Sequence, residues 1–424
     1  MHRTANAIAP LPRRIARWLP AALLAVLAAN AGAAPAGPAR WQRLDAFLQQ
    51  ATGADGYPGA VARVEVAGRP VFQGHWGHAD PARSRPLHDD AIFRIYSMTK
   101  PVTSVAVLML LEEGRLSLDD PLSRFLPDFA DRRQVVGGDL DHPRLVPSPR
   151  PLTLRHLLTH TSGLAADSDT HPLASALLAR ADVDSATSLE DVAARLATVP
   201  LADAPGTHFH YEGANTELLA RVVEVVAGQP FARFLQQRVF DPLAMHDTGF
   251  EVPMAQRGRV VALPTGDAAG RLRLADTASA RTPGVRLKGY DSGAGGLYST
   301  AADYLAFARM LLNDGEEGGV RLLSRRTVEL MMADQLGGFE PAIAGATRGE
   351  GFGLGGYVVT DPAARGRLGS VGQFGWSGAA STYFTIDRRE KLVAILLMQY
   401  LPGDGVRLPS PATPFYTLVY QALP

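Results

Sequence analysis

Between Ser97 and Glu113 the chain carries Val102, Val105, Ala106, Val107, Leu108, Met109, Leu110 and Leu111, and Gly114 closes the run. A helix that is apolar nearly all round cannot lie on a surface. It has to run through the centre of the protein, with the other elements packed about it. Pro101 falls in its first turn, the one place where a helix tolerates proline. Whatever stands at the head of this helix is therefore held rigidly inside the fold.

The rest of the chain sorts around that helix. Residues 60 to 76 alternate loosely about Ala67-Gly68-Arg69 and predict a β-hairpin. A second hairpin is predicted from Ser381–Ile386 and Leu392–Met398, separated by Asp387-Arg388-Arg389-Glu390-Lys391. Helical patterns occupy Leu152–Leu158, Leu189–Ala197 behind the cap Ser188, Asn215–Ala227, Phe231–Val239, Ala301–Leu312 and Ser324–Met332. Strand signals are sparse in the middle. Strands at both ends and helices between them predict an α+β (broadly α/β) fold: one antiparallel sheet assembled from both termini, flanked by helices and carrying an inserted, mainly helical lobe. The expected division is a sheet lobe over 40–96 and 285–424 and a helical lobe over 97–284, with the ligand cleft between them.

Arg13, Arg14 and Arg17 precede an apolar run from Leu19 to Ala29, followed by small residues at Ala31, Ala33 and Ala34. Residues 1–34 read as a secretory signal peptide, too short in its apolar core to span a bilayer comfortably, so an exported, periplasmic or secreted protein without a retained span is expected. Formal net charge is zero, which removes any general electrostatic case for a nucleic-acid partner. The chain has no cysteine. That excludes disulfides, thiolate nucleophiles and cysteine-held metals, and leaves serine, threonine or a carboxylate as nucleophile.

Only three lysines stand against thirty-nine arginines, and Lys100 follows Ser97 by one helical turn. Residues three apart on a helix share a face, so hydroxyl and amine can meet. Arginine keeps its charge in a protein, whereas a buried lysine can give up its proton and serve as a base. Ser97 also stands at a helix start, where unpaired backbone N–H groups favour negative charge. Taken alone, the pair is equally an N-cap and a surface lysine. Two further segments add weight. Pro205-Gly206-Thr207-His208-Phe209-His210-Tyr211 leads a phenol into the Asn215 helix, where it could share a proton with the lysine or be a core tyrosine under a loop. Gly375-Trp376-Ser377-Gly378-Ala379 lets a backbone approach a ligand closely, as an edge strand that pairs with substrate or as an ordinary glycine-rich turn.

Together with Leu154-Arg155-His156-Leu157-Leu158-Thr159-His160-Thr161-Ser162-Gly163-Leu164 and Gly295-Gly296-Leu297-Tyr298-Ser299-Thr300-Ala301-Ala302-Asp303, these motifs resemble the serine β-lactamase and penicillin-binding-protein superfamily. The likeness is to its class-C-like branch and the family VIII carboxylesterases, and it runs over most of 40–424. It implies Ser97 as acylated nucleophile, Lys100 as its activating partner, Tyr211 as the tyrosine of the second motif, and an oxyanion hole from the N–H groups of Ser97 and Ala379. Trp376, Ser377 and Gly378 fall where true β-lactamases and penicillin-binding enzymes carry Lys-Thr-Gly, and with Asn215 they are the expected substrate-binding residues. The missing lysine is the group that would attract the carboxylate of β-lactams and peptidoglycan stems. Its absence points to small or medium esters rather than to β-lactam or D-Ala-D-Ala substrates, with a non-turnover ligand sensor as the reading of another class. No cofactor or metal enters this chemistry. His156 with His160, and His208 with His210, have spacings that metal ligands can have, but no glutamate accompanies the first pair as in a zinc-hydrolase helix, and all four are read as structural.

Overall fold

The computed structural model describes residues 38–424 apart from 166–168, 340–341, 346, 404 and 406–407. The expected signal segment lies outside the described residues. Seven antiparallel strands form the main sheet: β1 (Gly59–Val66), β2 (Arg69–Gly77), β3 (Glu350–Phe352), β4 (Tyr357–Val359), β5 (Phe374–Gly378), β6 (Thr382–Asp387) and β7 (Leu392–Met398), in the order β3-β4-β5-β6-β7-β1-β2. The two hairpins predicted from opposite ends of the chain meet where β1 pairs with β7, Ala60 opposite Met398 and Val66 opposite Leu392. This is the α+β sheet from both termini that the strand pattern predicts.

β7 explains why that junction is central. All of its residues are buried, because both faces of the sheet are covered. Leu392, Ala394, Leu396 and Met398 join Trp41, Leu44 and Leu48 of α1 (Pro38–Ala51), together with Phe415 and Val419 of a helix near the C-terminus, Ala412–Ala422. The alternate residues Val393, Ile395 and Leu397 enter the larger core with Phe307 and with Val102, Val105 and Val107. Fully burying each aliphatic side chain contributes about 1.5–3 kcal/mol. The predicted central helix, α2, spans Thr99–Glu112, and every residue from Thr99 to Leu110 is buried.

The structure departs from the sequence reading in several places. α1 and Ala412–Ala422 were not expected, nor were the helix Pro172–Arg180 and the hairpin Arg133–Gly138/Pro143–Pro147. The predicted helix Phe231–Val239 is α-helical only to Leu235 and then widens to a π-turn over Gln236–Phe240. The helix expected from Asn215 starts at Gly213 as α3 (Gly213–Ala227), because the Glu212 carboxylate caps it by accepting from the Ala214 N–H at 3.2 Å. Ser188 caps Leu189–Ala197 as expected, accepting from Asp191 N.

Candidate active site

Ser97 lies in a 3₁₀ turn, Tyr96–Met98, that runs directly into α2. Tyr96 takes a positive φ of 42°, a left-handed conformation that turns the chain sharply just before the serine. Neighbours hold this turn from every side. Tyr304 Oη donates to Met98 O at 2.8 Å, the Leu297 N–H donates to Thr99 Oγ1 at 3.2 Å, and Thr103 Oγ1 donates to Gly293 O at 2.8 Å. Before it, Arg94 is fully buried, and among the described residues no carboxylate forms an ion pair with it. Its guanidinium donates to carbonyls of Val261, at 2.7 Å, and Ser279, and burial pulls its pKa down. This arginine pins the strand that delivers the serine, and the sequence reading missed it.

Lys100, only 3% exposed, places Nζ 3.0 Å from Ser97 Oγ and 2.8 Å from Ala294 O. The helical spacing thus brings hydroxyl and amine together, and a carbonyl from a distant loop takes one of the amine's other protons. An amine so held has a hydroxyl within proton-transfer reach.

Gly378 brings β5 against this turn. A Cβ there would sit 2.3 Å from Ile95 O and 2.3 Å from Thr382 Oγ1, so only glycine allows the approach. Gly378, expected among the substrate-binding residues, is buried and closely packed here. Ala379 and Ser377 beside it are exposed, and among the described residues the Ala379 N–H has no hydrogen-bond acceptor. β5 is not an edge strand as a whole: β4 covers Phe374 and Gly375, and β6 pairs its full length. Because β4 is only three residues long, Trp376 to Gly378 have no strand partner on that side among the described residues.

Tyr211 is 41% exposed, so it is not a core tyrosine. Lys100 Nζ sits over its ring, 4.8 Å from the centroid, and its hydroxyl accepts from Trp376 Nε1 at 3.1 Å. The phenol thus meets the lysine through its face, and its oxygen is tethered to the third motif. The Tyr211 and Trp376 rings lie 4.9 Å apart, and Phe352 meets Trp376 edge-on at 5.2 Å. An aromatic wall stands where a lysine would offer charge.

Asn215, expected to bind substrate, is fully buried, and its Nδ2 donates to His160 Nδ1 at 3.1 Å. His160 was read only as structural, yet it clasps both neighbours of Tyr211. Its carbonyl accepts from the His210 N–H at 2.8 Å, and its Nδ1 accepts from the Glu212 N–H at 3.1 Å. Burial first, and then the Lys100 charge, hold its pKa well below the ordinary histidine value, so the ring is a neutral acceptor. The one signal in the sequence was its place four residues after His156, which suggested a metal pair. The structure separates them: His156 Nδ1 accepts from the Thr153 N–H at 3.1 Å and caps its own short helix, Leu154–Leu158.

A cavity of about 680 Å³ borders the Ser97–Lys100 pair at Tyr96, Ala294 and Gly295 and extends towards Glu212, Glu217 and Lys288. Glu217 is buried, and burial raises its pKa; Oε1 accepts from Ser292 Oγ at 2.5 Å, and Oε2 has no partner among the described residues.

This geometry, a serine at the head of a central helix with a lysine one turn on, defines a serine hydrolase of the β-lactamase type. The chain belongs to the beta-lactamase family, whose model matches residues 44–411. An uncharacterised protein of Mycobacterium tuberculosis is 36% identical over 82% of this chain and 87% of its own length. Esterase EstB of Burkholderia gladioli is 33% identical, covering 84% of this chain and 89% of its own. Among solved structures, the hydrolase EstCE1 superposes with a TM-score of 0.71 at 24% identity, covering 91% of this chain and 98% of its own. Simvastatin synthase of Aspergillus terreus superposes with a TM-score of 0.73 at 23% identity, covering 90% and 97%. These two establish the likeness of fold alone.

Proposed function

We propose that this protein is an exported carboxylesterase that cleaves small or medium acyl esters through an acyl-enzyme on Ser97. The observation that carries the reading is the 3.0 Å contact of Ser97 Oγ with Lys100 Nζ beside an aromatic, uncharged third motif. Lys100 takes the Ser97 proton as Oγ attacks the ester carbonyl. The oxyanion forms against the N–H groups of Ser97 and Ala379, and losing one such donor costs about 2.7–4 kcal/mol in the transition state. The alkoxide leaves with a proton returned through Tyr211, and water repeats the sequence in reverse to free the acid. Trp376 offers apolar surface to the ester where a cation would select carboxylates. Arg365, over the Tyr357 ring at 5.0 Å, does not supply the missing charge, because it is ion-paired to Glu350. Relatives named as esterases, including a lovastatin esterase of Penicillium rubens at 31% identity, support the ester reading.

The test sets short p-nitrophenyl esters beside a chromogenic cephalosporin, with Ser97→Ala as control. Ester turnover that vanishes in the control, with little cephalosporin turnover, supports the reading; the reverse preference overturns it in favour of a β-lactamase or cell-wall enzyme. Lys100→Arg should be nearly as damaging as Ser97→Ala, because arginine keeps the charge but cannot surrender the proton. Comparable activity in Lys100→Arg and the wild type removes the base role.

A further inference from the structure

On the far side of the Tyr211 loop, three histidines converge on one carboxylate. His210 Nε2 lies 2.7 Å and His171 Nε2 3.1 Å from Asp203 Oδ2, while His208 Nδ1 lies 3.3 Å from Oδ1. The side chains of His171, Asp203 and His210 are 26%, 14% and 15% exposed, sheltered but reachable by an ion, and His208 is 63% exposed, with its Nδ1 also 3.1 Å from Thr207 Oγ1. The ring of His171 meets that of His210 edge-on, with centroids 5.1 Å apart. One ligand atom from each of His171, Asp203 and His210 lies within 4.8 Å of the others.

We propose that His171, Asp203 and His210 bind a divalent first-row transition ion of the zinc type, with His208 or water as fourth ligand. Two imidazoles and a carboxylate suit zinc-like ions, whereas magnesium and calcium prefer all-oxygen shells. With metal–ligand bonds of about 2.0–2.2 Å, tetrahedral donors stand about 3.3–3.5 Å apart. The spacings to Asp203 Oδ2 therefore need to open by about 0.2–0.4 Å at His171 and about 0.6–0.8 Å at His210. Each Nε2 now faces the carboxylate, so on coordination the imidazole proton sits on Nδ1 and Nε2 offers its lone pair.

The backbone holds the ligands in place without the ion. The Ala202 N–H donates to Gly163 O at 2.7 Å, and the Gly206 N–H donates to Thr161 O at 2.7 Å. Gly163 has φ of 84°, and a Cβ on it would meet Asp203 O at 2.1 Å. His171 is the N-cap residue of Pro172–Arg180. An ion here would tie that helix to the loop whose next residue after His210 is Tyr211. It would act as a structural clamp on the active-site loop and not as a reactant.

The experiment uses untagged protein stripped with a chelator and titrated with zinc chloride in competition with a chromophoric chelator. One zinc per chain with Kd below about 10 µM is expected. His171→Gln and Asp203→Asn, each checked for native circular dichroism, should weaken binding by at least about 100-fold, as ligand loss exceeds the effect of losing an outer partner. His142→Gln, at a side chain 89% exposed and outside the clustered ligands, should leave it unchanged. Cobalt(II) gives a second readout, since ligand-field bands in the visible that vanish in His171→Gln report the same coordination. Weaker or non-saturable zinc binding, or binding that survives both substitutions, overturns the site and leaves a carboxylate with three imidazole partners.

Discussion

His160, whose ring lies 4.8 Å from that of Tyr211, and His210, the residue before Tyr211, are joined by a backbone hydrogen bond, yet their rings serve different chemistry. The His160 ring is buried, and among the described residues no carboxylate pairs with it; its Nδ1 accepts from two donors, the Glu212 N–H and Asn215 Nδ2. His210 is partly exposed and faces Asp203. Burial alone pushes that carboxyl up, but the hydrogen bond from His210 and the charges of His208, His171 and His210 outweigh it and hold Asp203 below its ordinary range. Solvent and a partner charge thus decide what the same side chain does. Without either, a histidine becomes a fixed neutral acceptor; with both, it becomes a donor, a cation or a metal ligand.

The sharpest way to break this contrast is His160→Phe, which keeps a ring and removes the acceptor. Two buried donors would then be orphaned, at about 1–3 kcal/mol each, so denaturant unfolding should report a loss of several kcal/mol. Steady-state ester kinetics should show kcat/KM falling about 100-fold, the order expected when a catalytic loop shifts by an ångström. An unchanged kcat/KM removes His160 from the positioning of Tyr211.

Acid should separate the two groups next. His156 is held at about 4 by burial, with Arg150 and Arg155 adding to the effect, and His160 is held well below 6.5. Both folded values lie below the ordinary 6.5, so the folded state binds fewer protons than the unfolded chain as pH falls. Stability is fully present above pH 6.5 and is lost from there towards pH 4, by up to about 1.4 kcal/mol per pH unit for each histidine. Melting curves across that interval should fall in the wild type and less steeply in His156→Gln. Equal slopes would place the acid lability elsewhere.

The smallest effect is expected at the partly exposed cluster. Asp203→Asn in metal-free protein should cost about 1 kcal/mol, because the cluster reaches solvent through the exposed His208 and its charges are partly screened. The depressed carboxylate makes that contribution present above pH 3.8 and lost below it, so the two proteins should converge in stability in strong acid. A difference of several kcal/mol would mean that the cluster is as integral to the fold as His160.

Much of the architecture was legible from local spacing. β7, α2 and the Ser188-capped helix carry their periods in consecutive residues, and those periods survive any tertiary arrangement. α1 was also legible in principle, since Trp41, Leu44 and Leu48 recur at helical intervals, as do Phe415, Val419 and Ala422 near the end of the chain. β3 and β4 were not: three residues in a glycine-rich run have no period to read.

What the sequence determined by itself was the reactive pair, because Ser97 and Lys100 are one helical turn apart and the helix beneath them is too apolar to lie anywhere but inside. The tertiary structure decided the rest of the site. The Ala294 carbonyl on Lys100, the Trp376 tether on Tyr211, the burial of Asn215 and the clasp of His160 on the Glu212 N–H join residues 52 to 194 positions apart. A hydrogen bond depends on distance and direction in space, and positions so far apart in the chain acquire these only when the sheet and the helices have packed.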